Sequence, residues 1–303
     1  MKIGIIMGGI SSEREISIKS GESIFKNINK EKYDVVKIII DEKEDIITKV
    51  KKENIDFALL ALHGQFGEDG TVQAVLQAIG IPYSGCGPLS SAACMDKDMT
   101  KSLLKAEGIR TAKWINLKSI EELDYKKIEE LGYPVFIKPT HGGSSVATYF
   151  IKRKEEVLKA VEEGFKVDTE VMIEEFIKGE EITCPIIKDK VYPILAIEPT
   201  SEFFDFESKY KDGGAKEYIV QLDEELKNEV EDMALKTYKA LKCSVYARVD
   251  FIVTKEKVPY ILEVNTLPGM TENSLFPKSA LGLNMSYSDL VDKIIEESLN
   301  EKR

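Results

Sequence analysis

The chain has 303 residues, with 42 Lys+Arg against 53 Asp+Glu and a net charge of −11; 43% of it is hydrophobic and 31% charged. That length exceeds what one core fills, so two or three domains are expected, and the negative balance argues against nucleic acid as a partner while leaving room for a small anionic ligand in a local basic pocket. No apolar run approaches the roughly 18 residues that span a bilayer, and Met1–Met7 leads straight into a glycine loop rather than a secretory segment, so a cytoplasmic protein with no membrane partner is expected.

In chain order, apolar runs at 2–7, 33–40 and 57–62 alternate with helical patterns at 17–28 and 44–51. Such alternation predicts an α/β fold opening on a doubly wound parallel sheet, with ligands at the carboxyl ends of its strands. Two unusual loops fall there, Gly8–Glu15 and His63–Gly70. Glu13 is a candidate for gripping a cationic group, and equally an acid complementing a helix dipole. His63 is a candidate polar contact, and equally a loop histidine bonded to backbone. Residues 81–88 read as a last short strand and a turn that close the first domain near residue 90. The four cysteines (Cys86, Cys94, Cys184, Cys243) form no C-x-x-C pair and read as buried small hydrophobes, and two histidines exclude a three-histidine metal site.

A helix is expected over 90–107, carrying Asp96-Lys97-Asp98, then a strand at 113–117, a helix at 120–130 and a strand at 135–139. Lys138 ends that strand; alone it would simply snorkel to solvent. The following Thr140–Val146 changes its meaning, because two glycines and two serines free N–H groups and hydroxyls to cradle phosphate oxygens. The strand–helix context and G-x-x-x-x-G-K-[ST] spacing of a P-loop are missing. After a second strand (147–152) and a helix at 154–165, residues 171–183 read as a strand that turns at Gly179 and restarts, a hinge between lobes. Backbone groups near Phe176 and Ile177 suit an adenine edge and Glu181 a ribose; an acidic linker fits the same residues. A hairpin-like run (182–198) leads to Glu202–Gly214, whose length and interleaved aromatics suggest a lid, and a helix is expected at 224–242.

Tyr246–Val253 and the run from Val258 alternate with period two and read as an antiparallel hairpin. Centring its turn on Glu256-Lys257 pairs Ile252 with Ile261, Asp250 with Glu263 and Arg248 with Asn265, all on one face. Facing carboxylates repel and call for a cation, and oxygen ligands suit Mg²⁺ or Mn²⁺ shared with phosphates. A solvated face with Arg248 as partner is the other reading. A last amphipathic helix is expected over Ser288–Leu299.

The order of these signals, Lys97, Lys138 before a Gly/Ser loop, Glu174 to Glu181, R-x-D and E-x-N, resembles the ATP-grasp superfamily. The motifs S-S-E-R-E-I-S (11–17), L-H-G-x-x-G-E-D-G (62–70), M-D-K (95–97), K-P-x-x-x-G-S-S-V (138–146) and E-V-N-T-L-P-G-M-T-x-x-S-L (263–275) are similar to those of D-alanine–D-alanine ligases over nearly the whole chain. The resemblance implies an N-terminal substrate-binding α/β domain (1–92) followed by a two-lobed ATP-grasp fold, with a central lobe (93–181) and a C-terminal lobe (182–303) bearing the lid and metal hairpin. It implies Lys97, Lys138, Ser144, Ser145 and Lys209 on ATP phosphates, and Glu174, Phe176, Ile177 and Glu181 on adenosine. It implies Asp250, Glu263 and Asn265 on two Mg²⁺ or Mn²⁺ ions. Glu13 would take the ammonium of the first D-alanine, linked through Ser144 to Tyr210, with His63 close by. Arg248 and the Gly269 N–H would stabilise the tetrahedral oxyanion, and Ser274 with Leu275 would receive the second carboxylate. A homodimer is also implied, and Tyr210 favours an amine as second nucleophile. D-Serine or D-lactate as second substrate, or a non-catalytic ATP-binding regulatory module, are the alternatives. The chain departs from the family pattern at Ala147, at Gln221-Leu222, and at Ala74 and Gln77.

Overall fold

The computed structural model describes residues 1–143, 146–199 and 214–303. The chain opens with β1 (Lys2–Gly8), α1 (Arg14–Asn27), β2 (Asp34–Ile40), α2 (Asp45–Glu53), β3 (Phe57–Leu60) and α3 (Thr71–Ala78). The strands pair in parallel in the order β2-β1-β3. β1 is buried along almost its whole length, as the central strand of a parallel sheet must be. The short strand expected near 81–88 is a single parallel bridge between Tyr83 and Ala58. The core on this sheet is completed from the far end of the chain: Phe276 of α9 (Leu275–Leu281) and Leu290, Ile294 and Ile295 of α10 (Tyr287–Leu299) pack with Ile3, Ile5 and Phe57.

The helix expected over 90–107 is two helices, α4 (Pro88–Met95) and α5 (Lys97–Ala106). Asp96 breaks the run by leaving helical geometry (ψ 106°) and accepting a hydrogen bond from the Met99 N–H, because a short carboxylate competes for N-terminal amides better as a cap than inside a helix. Lys97 therefore starts a helix rather than lying in the middle of one.

The middle of the chain forms a four-stranded antiparallel sheet, β4 (Trp114–Leu117), β5 (Val135–Pro139), β6 (Tyr149–Ile151) and β7 (Val171–Glu175), in the order β4-β7-β5-β6. Helices α6 (Tyr125–Leu131) and α7 (Val157–Phe165) cover it, with Ile128, Val157 and Val161 against Val135, Ile137 and Ile173. Both helices are preceded by a 3-10 turn, so the element expected at 120–130 is divided. Ala147, where the family pattern has glycine, sits at φ +52°, a conformation that a Cβ makes costly.

The third sheet has six strands: β8 (Gly179–Ile187), β9 (Lys190–Val191), β10 (Leu195–Pro199), β11 (Ala215–Ile219), β12 (Tyr246–Thr254) and β13 (Pro259–Asn265). They run β11-β10-β8-β12-β13, with β9 on β8. Helix α8 (Glu224–Ala240) buries Val230 and Ala234 against Ile186 and Phe251. Gly179, expected as a hinge, starts β8 where an added Cβ would lie 2.3 Å from the Val253 carbonyl oxygen; only glycine allows that approach. All four cysteines are buried and free, as expected.

The hairpin of β12 and β13 pairs Arg248 with Asn265 and Asp250 with Glu263, as the sequence predicts. The expected pair Ile252–Ile261 is wrong. Ile252 faces Tyr260, Ile261 faces Phe251 in the core, and the register shifts after Asp250. The turn is centred on Glu256 rather than between Glu256 and Lys257: Thr254 N–H bonds the Val258 carbonyl at 3.0 Å and Lys257 adopts φ +62°, the left-handed residue of a three-residue hairpin loop. An extra residue on β13 then restores the alternation at the polar end, as a β-bulge does. Among the described residues no helix is long and apolar enough to cross a membrane.

Candidate active site

Three groups of side chains converge between the sheets. The first surrounds the loop after β5. Lys97, at the first turn of α5, donates to the carbonyls of Thr140 (3.4 Å) and Gly142. Lys138, on β5, pairs with Glu174 of β7 at 2.6 Å. His141 fastens the loop from behind: its N–H and its Nδ1 both meet the Asp168 carboxylate, at 2.7 and 3.0 Å. That hydrogen bond raises the His141 pKa. Ser144 and Ser145 lie outside the described residues.

Burial pushes the Lys97 ammonium down to about 8; Lys138 adds to the shift, while Glu263, Glu174 and Asp168 oppose it. Lys97 is therefore fully charged only below that pH, and its attraction for an anion is lost as pH rises through about 8. We expect kcat/KM for ATP, which reports groups of the free enzyme, to fall on an alkaline limb near pH 8. Lys97→Arg keeps its charge throughout and should remove that limb. An identical limb in the arginine variant would assign it to another group.

The second group belongs to the first sheet. Glu13 is 8% exposed and stands at the N-cap of α1, where its side chain makes no capping hydrogen bond. An added Cβ on Gly64 would lie 2.6 Å from Glu13 Oε2, and one on Gly143 3.2 Å. The carboxylate thus stands between the His63–Gly70 loop and the loop after β5. His63 is buried, with Nε2 3.0 Å from Ser20 Oγ and Nδ1 3.2 Å from Glu68. Ser11 ties the Gly8–Glu15 loop to the His63–Gly70 loop by donating to the His63 carbonyl at 2.7 Å. Beyond β13, Ser274 precedes α9, and its Oγ accepts from the Thr271 N–H at 3.0 Å. An added Cβ on Gly269 would lie 3.1 Å from that Oγ.

The third group is the hairpin. Asp250 is 2% exposed and takes a fork from Arg248, Nε to Oδ1 at 2.9 Å and an Nη to Oδ2 at 2.7 Å. Thr183 of β8 donates to the same carboxylate. Burial by itself would lower the Arg248 pKa; Asp250 outweighs it and raises the pKa. Arg248 thus neutralises Asp250, the partner role first considered for it. Among the described residues, no three or more His, Cys, Asp or Glu side chains form a self-sufficient metal cage. Instead Asp250, Glu263 and Asn265 supply two carboxylates and an amide at the polar end of the hairpin. That short, hard donor set fits Mg²⁺ shared with phosphates and does not suit zinc.

For adenosine, the Phe176 N–H is already spent on the Pro134 carbonyl at 3.3 Å, and its ring packs edge-on against Phe150 and Phe136. Ile177 follows it on the stretch between β7 and β8, and Glu181 lies on β8 opposite Ile252. Glu174 is turned inward, 2% exposed, with Lys101 on one oxygen and Lys138 on the other. Lys209 and Tyr210 lie outside the described residues. Sequence reasoning missed Lys101, Thr183, Ser20 and Glu68. Only Lys101 left a signal, one helical turn after Lys97. Thr183 meets Asp250 through a pairing of distant strands.

The model of the D-ala D-ala ligase N-terminus matches residues 2–52 and 43–86, and that of the D-ala D-ala ligase C-terminus matches residues 103–296. The chain belongs to the D-alanine–D-alanine ligase family. It is 68% identical over 303 residues to the D-alanine–D-alanine ligase of Clostridium beijerinckii, covering 100% of both chains. It is 65% identical to D-alanine–D-alanine ligase A of Clostridium perfringens over the same length, again 100% of both. Among solved structures, the D-alanine–D-alanine ligase of Bacillus anthracis complexed with ATP shares 49% identity, with TM-score 0.90 over 99% of this chain and 98% of that one. The VanG D-Ala:D-Ser ligase of Enterococcus faecalis shares 36%, with TM-score 0.85 over 98% and 99%. The parallel sheet followed by two antiparallel sheets is the ATP-grasp arrangement that the sequence resemblance implied.

Proposed function

We propose that this member of the family joins two D-alanines to D-alanyl-D-alanine with ATP, through a D-alanyl phosphate, and so supplies peptidoglycan precursor synthesis in the cytoplasm. The observation that supports the reading is the Arg248–Asp250–Glu263–Asn265 hairpin together with two half-buried lysines, Lys97 and Lys138, at a glycine loop, with Glu263 close enough to Lys97 to act on its charge. Attack of a carboxylate on a γ-phosphoryl group brings anions together, so catalysis rests on cations and positioning. Lys97 and Lys138, with Ser144, Ser145 and Lys209, hold the ATP phosphates; Phe176, Ile177 and Glu181 hold adenosine, with Glu174 beside them. Mg²⁺ or Mn²⁺ on Asp250, Glu263 and Asn265 would spread the phosphate charge. Glu13 orients the first D-alanine by its ammonium, with His63 behind it. Ser274 and the Leu275 N–H hold the carboxylate of the second.

In the second step the amine of the second D-alanine attacks the acyl phosphate. The C–N bond forms, phosphate leaves with the electron pair of the C–O bond, and the ammonium proton is lost. Arg248 and the Gly269 N–H stabilise the oxyanion between. Water would hydrolyse the intermediate, so the reaction needs a lid; the sequence gives that role to the Glu202–Gly214 stretch, whose residues 202–213 lie outside the described ones, and to Tyr210 within it the preference for an amine. The functional division is 1–92, 93–181 and 182–303, and the assembly is a homodimer.

The deciding experiment is ADP release with Mg²⁺-ATP and D-alanine alone, then with D-serine or D-lactate added, with products identified by mass. D-alanine-dependent ADP release with a dipeptide product is the expected result. A mixed product favoured over the dipeptide would move the chain to the D-Ala–D-Ser or D-Ala–D-Lac reading; the VanG likeness makes D-serine the comparison to run first. ATP binding with no turnover would leave a regulatory module.

A further inference from the structure

Lys101 is a charged side chain that the mechanism above does not use, and it is 2% exposed. It projects from α5 one turn after Lys97, donates to Thr111 Oγ1 at 2.7 Å and to the Ala112 carbonyl at 3.2 Å, and forms an ion pair with Glu174. Its ammonium also lies 5.6 Å from the centre of the Trp114 ring. The other Glu174 oxygen is held by Lys138. Two lysines thus share one buried carboxylate, and only Lys138 adjoins the phosphate loop. Burial would raise the Glu174 carboxyl, but the two ammonium charges overcome it and hold it at about 2. The carboxylate is therefore ionised at any working pH.

A lone Lys138–Glu174 pair would be neutral and would present only a dipole, not a net charge, to a phosphate. With Lys101 on the other carboxylate oxygen, the trio carries one net positive charge, and Lys138, next to last in the strand that leads into the loop, is its member on that side. We propose that Lys101 is a positioning residue: by neutralising Glu174 from behind, it leaves the charge of Lys138 available to ATP phosphate. The inference rests on the ATP-dependent reading above and extends it to a residue that does not touch the nucleotide. It also assigns Glu174 chiefly to the lysines rather than to adenosine.

The test is titration calorimetry of a non-hydrolysable ATP analogue with Mg²⁺, on the full chain at low salt, with unfolding curves run in parallel. Lys101→Met should weaken binding about tenfold, the order expected for one charge lost at short range in a semi-polar interior. The double variant Lys101→Met/Glu174→Gln restores the net charge and should recover most of that loss. A merely structural Lys101 would not be rescued by removing its partner. Unchanged binding in Lys101→Met, or a double variant as weak as the single, would overturn the proposal. Should Lys101→Met not fold, Glu174→Gln alone still decides, because it should bind the analogue at least as tightly as the parent. Weaker binding in Glu174→Gln would return Glu174 to adenosine and sink the idea. Failure of the unmodified chain to bind the analogue would instead remove the ATP-dependent reading itself.

Discussion

Glu263→Gln should lower ligation by a factor of about 10²–10³ or more, while nucleotide binding is expected to be partly kept. The size follows from what the residue supplies: one of two carboxylates facing each other across the β12–β13 ladder, in a site where charge stabilisation is usually the largest catalytic contribution. Glutamine keeps the shape and one oxygen, so the hairpin still folds. Lys97 and Lys138 are untouched, so the phosphate contacts proposed for them should persist. A second consequence is independent of turnover. Glu263 is the foremost charge opposing the depression of Lys97, so the alkaline limb of nucleotide binding should move to lower pH in the variant. Initial rates at ordinary and raised Mg²⁺ check the first statement, and a pH series of analogue binding the second. Normal turnover at ordinary Mg²⁺ would take Glu263 out of the metal site.

Arg248→Met should lose both activity and stability. Asp250 is buried and accepts both arms of the guanidinium. Removing one partner of a buried ion pair strands the other charge, at a cost of about 3–5 kcal/mol. The same substitution removes the group proposed to face the oxyanion, so ligation should fall by about 10³ in addition. The two effects separate in Arg248→Met/Asp250→Asn. With no stranded carboxylate, most of the stability returns, and the activity does not. Urea unfolding and initial rates on the three proteins measure this. A double variant that regains activity along with stability would mean that Arg248 serves only as a counter-ion.

Much of the site was legible in the sequence because its pieces are local. The alternation of Tyr246–Val253 and of Val258 onward specifies a hairpin, and that hairpin brings Asp250 opposite Glu263 and Arg248 opposite Asn265 because an extra residue on β13 offsets the one-residue shift in the turn. Even there the reading of Ile252–Ile261 fails, because period two cannot reveal an extra residue inserted on one strand. The helix over 90–107 fails for a related reason. Its composition is helical throughout, and only the carboxylate of Asp96, capping the second half, divides it.

What the sequence alone determined was the order of elements, the α/β class, the buried cysteines, the two loops at the carboxyl ends of the first strands, and the residues of the hairpin face. Each rests on periodicity or on contacts between near neighbours in the chain. Tertiary structure alone decided which groups meet across long separations: Thr183 on Asp250, Glu13 between Gly64 and Gly143, and Lys101 and Lys138 on Glu174. It also recruited α9 and α10 to the core of the first sheet. The physical reason is common to all of these. A buried charge must find its partner wherever packing brings one, and packing is a property of the assembled sheets rather than of any stretch within them.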